Sequence, residues 1–356
     1  MTLRPYSKFI VKSLLLSFPF LFALTCYVIR DPFMVLRQYD DYDHSPICQN
    51  EGYVAWQKYK LYRHKAHYDA FLMGNSCTKA FSCDTWNSYV HGHPFRLFCN
   101  NLGLADLCQV LDALDRQPHQ PVRHILLVTD RTFFMKHCVS CGAMHVMPPD
   151  VSHDSWLTVQ TEFAKAFFGT DVLGPYLRYL VTGKSGPWSE GVVCTATTRT
   201  AISNEAVVDF MEDSIKRMGE AYWHDKRFSK VLHAQPKTDV QIIFQPQLRL
   251  LCKVRDFCRK HHTDLRLVIG PTTERLRMNP ADVTCLCRIL GKANVYDYTD
   301  RQDLNNIHNF YDTAHYRIGI GNLILKDIYG NGTTASTHGE SPSMIPSKGC
   351  RIAARS

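Results

Sequence analysis

The sequence predicts an α/β fold in three layers, a parallel sheet flanked by helices, preceded by one N-terminal transmembrane helix. Three observations predict it. Short, fully apolar runs alternate with segments of helical periodicity, an order that needs crossover helices and therefore parallel strands. The 356 residues are 45% hydrophobic and 21% charged, a composition able to bury a sizeable core. The only strongly apolar stretch, Ser13 to Ile29, lies in the first thirty residues, apart from that alternation.

Arg4, Lys8 and Lys12 precede this stretch, seventeen residues carry no charge, and Arg30-Asp31-Pro32 closes it. The basic flank predicts a cytoplasmic N-terminus and an extracytoplasmic remainder. The run ends Ala-Leu-Thr-Cys-Tyr-Val-Ile without a small-residue cleavage pattern, which favours an uncleaved anchor over an export signal. Thr25-Cys26 is a poor lipoprotein site, and a buried first helix of a soluble protein is the competing reading. Residues 1–30 are thus read as a cytoplasmic stub and anchor. The polar, Tyr- and Asp-rich stretch from Gln38 to Asn50 then places a juxtamembrane linker over 31–64.

A folded domain is predicted over 65–330. Tyr68 to Met73, ending at Gly74, reads as a buried strand and turn, and Pro94 to Phe98 as a second strand. Leu104, Leu107, Cys108, Leu111 and Leu114 recur with helical spacing until Pro118, and His124 to Val128 is a third strand. Residues 131–235 form an insertion or cap with helices over Trp156 to Phe168 and Asn204 to Trp223. The alternation resumes with a helix marked by Leu248, Leu251, Val254, Phe257 and Cys258, then a strand from Leu265 to Ile269 ending at Gly270-Pro271. Val295-Tyr296 is a shorter strand, and Ile320, Leu323, Ile324 and Ile328 mark a last helix stopping at Gly330. Residues 331–356, rich in Ser, Thr, Gly and Pro, read as a disordered tail.

Lys and Arg number 41 against 33 Asp and Glu, a formal +8, but the basic residues are scattered without an aromatic-studded stripe. This argues against nucleic acid and suits anionic envelope polymers or lipid head groups. The fourteen cysteines show no repeating framework, and Cys108, Cys252 and Cys258 fall on apolar helix faces as small hydrophobes. His137, Cys138, Cys141 and His145 offer four soft ligands for zinc. A second C-x-x-C is absent, so a local disulfide or free thiols is the favoured reading, with no metal and no cofactor.

Two segments carry polar residues at the edges of predicted elements. Gly74-Asn75-Ser76-Cys77-Thr78 follows the first strand directly, where open α/β folds place their sites. Asp312-Thr313-Ala314-His315 precedes the last helix, and a His and an Asp three apart can converge on one serine. Either segment alone is an ordinary turn or helix entry; both at the right ends of a parallel pattern point to catalysis. Tyr311 and Tyr316 read as packing residues with a hydroxyl at the rim, and Asp297 as a strand-end turn residue.

With Gly74-Asn75-Ser76 after an apolar strand and Asp312-x-x-His315 before a terminal helix, the chain resembles the SGNH (GDSL-like) hydrolase superfamily. More narrowly it is similar to membrane-anchored bacterial proteins that act with membrane-bound O-acyltransferases on envelope polymers, as in alginate O-acetylation and teichoic-acid D-alanylation. The resemblance implies a flavodoxin-like sheet and ester chemistry on an O-acylated envelope polysaccharide. It implies Ser76 as nucleophile, His315 as general base and Asp312 as the residue orienting it. The oxyanion hole it implies uses the Ser76 N–H, a glycine N–H, for which Gly103 is the candidate with Asn101 close by, and an asparagine side chain; since an ionised Asp130 would repel an oxyanion, either Asn100 or Asn101 supplies that donor or the hole is incomplete. The third strand ends Val128-Thr129-Asp130 where the family commonly has Gly-x-Asn, and Asn75 replaces the usual aspartate. These departures motivate a second expectation, a catalytically inactive glycan-binding or scaffold subunit of an acyltransferase complex.

Overall fold

The structure, a computed structural model, describes residues 5–194 and 199–330. Helix α1 (Pro5–Arg30), about 39 Å long at 1.5 Å per residue, is long and apolar enough to cross a membrane, and most of its side chains are exposed. Near its C-terminal end Tyr27 packs on Phe167.

Residues 31–64 are not a linker. Asn50 accepts from the Tyr53 N–H and caps helix α2 (Glu51–Ala66), whose Trp56 and Tyr59 are wholly buried in the main core. Ahead of it, the Asp31 carboxylate accepts from the Val35 and Leu36 N–H groups, and a disulfide joins Cys48 to Cys194. Polar composition misled here because these side chains bond to the fold itself.

The alternation follows as expected: β1 (Ala70–Gly74), a 3-10 turn (Ser76–Ala80), α3 (Cys83–Val90), β2 (Pro94–Phe98), α4 (Leu104–Asp115) and β3 (His124–Thr129). The insertion carries α5 (Arg131–Met135), α6 (Pro149–Ser152), α7 (Trp156–Phe168), α8 (Thr170–Thr182) and α9 (Asp209–Met218). Then come β4 (Lys237–Thr238), α10 (Gln245–His261), β5 (Asp264–Ile269), β6 (Leu276–Arg277), α11 (Pro280–Leu290), β7 (Val295–Asp297) and α12 (Ile318–Tyr329). The helix expected from Asn204 to Trp223 is shorter, because Gly219 turns the chain at φ +55° and a 3-10 turn (Gly219–Tyr222) follows. Asn204 instead covers the sheet edge: its Nδ2 donates to the Arg96 carbonyl, while the Arg96 N–H donates to Ser203. The tail, 331–356, lies outside the described residues.

The five-stranded sheet has the order β2-β1-β3-β5-β7, every neighbour pair parallel, with β4 and β6 forming a separate two-stranded ribbon. Counting only the main strands this is 2-1-3-4-5, the doubly wound order whose switch point lies between the first and third strands. Because side chains alternate faces, Phe71, Met73, Ile125 and Leu127 meet α2, α4 and α10, whereas Leu72, Leu126, Val128 and Val268 meet α3 and α12. Burial on both faces explains why the central strands β1 and β3 read as nearly continuous apolar runs.

Candidate active site

Strand β1 ends where only glycine fits. Gly74 sits at φ +139°, and a Cβ there would come within 1.9 Å of the Val128 carbonyl oxygen on β3. The chain leaves the sheet at once into the 3-10 turn, with Asn75 as its cap: Asn75 Oδ1 accepts from the Cys77 N–H at 3.0 Å, and Thr78 Oγ1 donates back to the Asn75 carbonyl at 2.8 Å. Ser76 therefore takes the first position of the turn, half-buried, with an N–H that has no acceptor within the helix.

Asp312 and His315 lie on a tight loop closed by the Phe310–Tyr316 bridge and by the Tyr311 N–H donating to the His315 carbonyl at 2.8 Å. Asp312 Oδ1 accepts from the Ala314 and His315 N–H groups at 2.8 and 2.9 Å. His315 Nδ1 lies 2.7 Å from Asp312 Oδ2, and His315 Nε2 lies 2.7 Å from Ser76 Oγ. A carboxylate only accepts, so Nδ1 carries the proton and Nε2 is left to accept from the serine. Burial by itself would raise the Asp312 carboxyl, but the hydrogen bond and charge of His315 and the two backbone N–H groups hold it down to about 2. Ser76, His315 and Asp312, read from two motifs 239 positions apart, thus stand in one hydrogen-bonded line.

The neighbouring thiol does not compete. Cys77 is buried against the Ala314 carbonyl, and burial, reinforced by Asp130 and Asp312, pushes its thiol well above the ordinary range.

The implied oxyanion hole is a different matter. The Gly103 N–H is buried and donates to Asp106 Oδ2 at 2.9 Å, as the N-terminal cap of α4, so it is committed elsewhere. Asn101 is exposed at φ +56°, and its carbonyl accepts from Lys136 Nζ at 2.8 Å. Asp130 stands across the switch point from Ser76, with its carboxylate fully engaged: Oδ1 takes the Phe133 N–H and the Thr132 hydroxyl, and Oδ2 takes Asn75 Nδ2 at 2.8 Å. Asn75 and Asp130 are therefore bonded to each other, Asn75 serving as a donor to the Asp130 carboxylate.

No family model matches the chain, and no curated protein matches it.

A cavity of about 240 Å³ opens beside the triad, walled by Cys77, Asp130, Ile269, Pro271, Thr313 and Ala314. Braces from the insertion hold the triad loop, and composition alone gave no sign of them. Tyr222 OH donates to the Tyr311 carbonyl, Trp223 Nε1 to the Phe310 carbonyl, and Glu212 accepts from Tyr311 OH at 2.6 Å. Tyr311 and Tyr316 are accordingly not at a rim: both are buried, and Tyr316 packs so tightly on Gly270 that a Cβ there would meet its ring at 2.7 Å. Asp297 behaves as expected for a strand end, accepting from the Thr299 N–H and hydroxyl. Cys138 and Cys141 are free and exposed, and no group of three or more potential ligands for a metal occurs among the described residues.

Proposed function

We propose that this chain is a membrane-anchored, extracytoplasmic serine esterase or O-acyltransferase of the SGNH-like kind that acts on an O-acylated envelope glycan. The observation that carries the reading is the line from Asp312 through His315 to Ser76 Oγ, with both contacts at 2.7 Å. In this reading Ser76 Oγ attacks the ester carbonyl as its proton passes to His315 Nε2, and Asp312 stabilises the imidazolium. The tetrahedral intermediate collapses with that proton going to the departing alcohol, leaving an acyl-serine. Water or a sugar hydroxyl then attacks the acyl-serine by the reverse proton path, giving hydrolysis or transfer. The Ser76 N–H supports the oxyanion from the start of the 3-10 turn.

Support for the location comes from the apolar helix α1 with its basic N-terminal flank, and from the Cys48–Cys194 disulfide, a bond that persists in oxidising compartments. A membrane-bound O-acyltransferase is the partner this arrangement suits, with membrane attachment through α1 and no nucleic acid.

A fluorophosphonate, which reacts with activated serines, tests the reading on the detergent-solubilised full chain. Adduct formation mapped to Ser76, and lost in His315→Ala, is the expected result. A folded protein that stays unlabelled sinks the catalytic reading. The commitment of the Gly103 N–H to Asp106 favours the second reading, an inactive glycan-binding or scaffold subunit; glycan affinity that survives Ser76→Ala without any ester turnover in the wild type would establish it.

A further inference from the structure

A second cavity, of about 230 Å³, is bounded by Arg96 and Phe98 of β2 and by Lys79 of the 3-10 turn that begins at Ser76. Its wall includes Lys79, Arg96, Phe98, Asn100, Glu51 and Arg199. It is far larger than the 10–15 Å³ or so that one water needs.

The ionic groups around it do not cancel. Arg199 bonds to Asp43 and Glu51, and the buried Lys58 bonds to Asp43, so these two cations and two carboxylates close on themselves. Lys79 and Arg96 are left over: neither forms an ion pair among the described residues. Arg96 is 1% exposed, with its guanidinium stacked 3.5 Å above the Phe98 ring and Nε donated to Thr78 Oγ1. Its Nη2 is buried without a hydrogen-bond partner. A charged donor left unpaired in the interior is unfavourable, and a bound acceptor would satisfy it. Burial, and then the Arg96 charge, pull the Lys79 ammonium below its ordinary value, against the opposing charges of Glu51 and Asp312.

The placement relates this space to the nucleophile. In a 3-10 helix side chains three apart eclipse, so Lys79 projects from the same edge of the turn as Ser76. Arg96 holds Thr78 of that turn, and Asn100 follows the carboxyl end of β2.

We propose that this cavity is an oxyanion-binding subsite, in which Lys79 and Arg96 hold a carboxylate or phosphate group carried by the molecule that reacts at Ser76. The proposal rests on the acyl-serine reading for its link to catalysis, but not for the binding itself. The planar guanidinium offers paired donors to such a group and Lys79 a mobile point charge. The site selects charged over neutral esters, and a neutral ester leaves Arg96 Nη2 unpaired.

Two measurements on the detergent-solubilised full chain test it separately. In calorimetry at constant ionic strength, inorganic phosphate or acetate binds the wild type, Lys79→Gln weakens that binding at least fivefold, and Lys79→Arg restores it. Binding of neither anion, or equal binding by wild type and Lys79→Gln, overturns the subsite; phosphate without acetate identifies phosphate as the source, and the converse a carboxylate. In turnover, O-acetylated oligogalacturonate and O-acetylated glycerol phosphate are each compared with their neutral methyl esters. The expected charged-over-neutral ratio in kcat/KM is at least tenfold for one pair, and it falls towards unity in Lys79→Gln. A ratio near unity in the wild type overturns the link to Ser76. If no ester is turned over while phosphate or acetate still binds through Lys79, the catalytic reading has failed and the subsite has not.

Discussion

Gly321 of α12 lies directly against the Ala80 carbonyl: a Cβ at Gly321 would stand 1.7 Å from that oxygen. This contact seats the last helix on the 3-10 turn that carries Ser76, and the triad loop enters that helix. The missing side chain thus sets the distance between the serine and the histidine. Gly321→Ala should push the helix off the turn, destabilise the fold by about 1–3 kcal/mol as overpacking does, and sharply slow fluorophosphonate labelling. Thermal unfolding together with labelling rates checks this; unchanged labelling would mean that the contact does not position the site.

Asn75 holds two elements at once, the Asp130 carboxylate at the end of β3 and the Cys77 N–H of its own turn. Asn75→Ala leaves both partners buried or half-buried without it, and about 1–3 kcal/mol of stability should be lost. Denaturant unfolding gives the value. Asn75→Asp should fare no better, because it sets a carboxylate against Asp130.

Asp312→Asn preserves shape but no longer demands a proton on His315 Nδ1. Turnover should fall by roughly 10²–10⁴-fold, with Ser76 still present and the fold intact by circular dichroism. A variant within twofold of wild type would show that Asp312 only shapes the loop.

Asp312 also makes the loop acid-sensitive in a defined direction. Its folded value, about 2, lies below the ordinary value of about 3.9. A carboxyl depressed on folding contributes stability that is complete above its unfolded value and is lost as pH falls through the folded one. The gap in Tm between wild type and Asp312→Ala should therefore be constant above about pH 5 and close between about pH 4 and 2. A gap of undiminished size at pH 2 would contradict the assignment.

The disulfide between Cys48 and Cys194 spans 146 positions and ties the segment after α1 to the insertion. Closing so long a loop restricts the unfolded chain, and its removal in Cys48→Ser/Cys194→Ser should cost about 2–4 kcal/mol. Because both cysteines wall the cavity of Lys79 and Arg96, anion binding should weaken in the same variant. Melting and phosphate titration with and without reductant measure the two effects.

What the sequence by itself determined is what depends on local order. Strands buried on both faces are dominated by apolar residues, so β1, β2, β3 and β5 were legible to within about two residues despite Arg96 and Arg266, as were α4, α7 and α12. The apolar run of α1 was equally plain. Gly74 before Ser76, and Asp312 three residues before His315, were legible because turn chemistry and catalytic spacing are both local. Tertiary structure alone decided what depends on contacts between distant segments. Helix α2 fell within the expected linker, and the polar side chains it carries bond to distant partners, as Lys58 does to Asp43 and the Thr200 carbonyl and Tyr59 does to Gln120. The use of the Gly103 N–H by Asp106, the pairing of Asn75 with Asp130, and the bracing of the triad loop by Glu212, Tyr222 and Trp223 are likewise matters of which groups meet in space. So is the surplus of charge at Lys79 and Arg96, because a sequence records every cation but only the fold decides which of them finds a carboxylate.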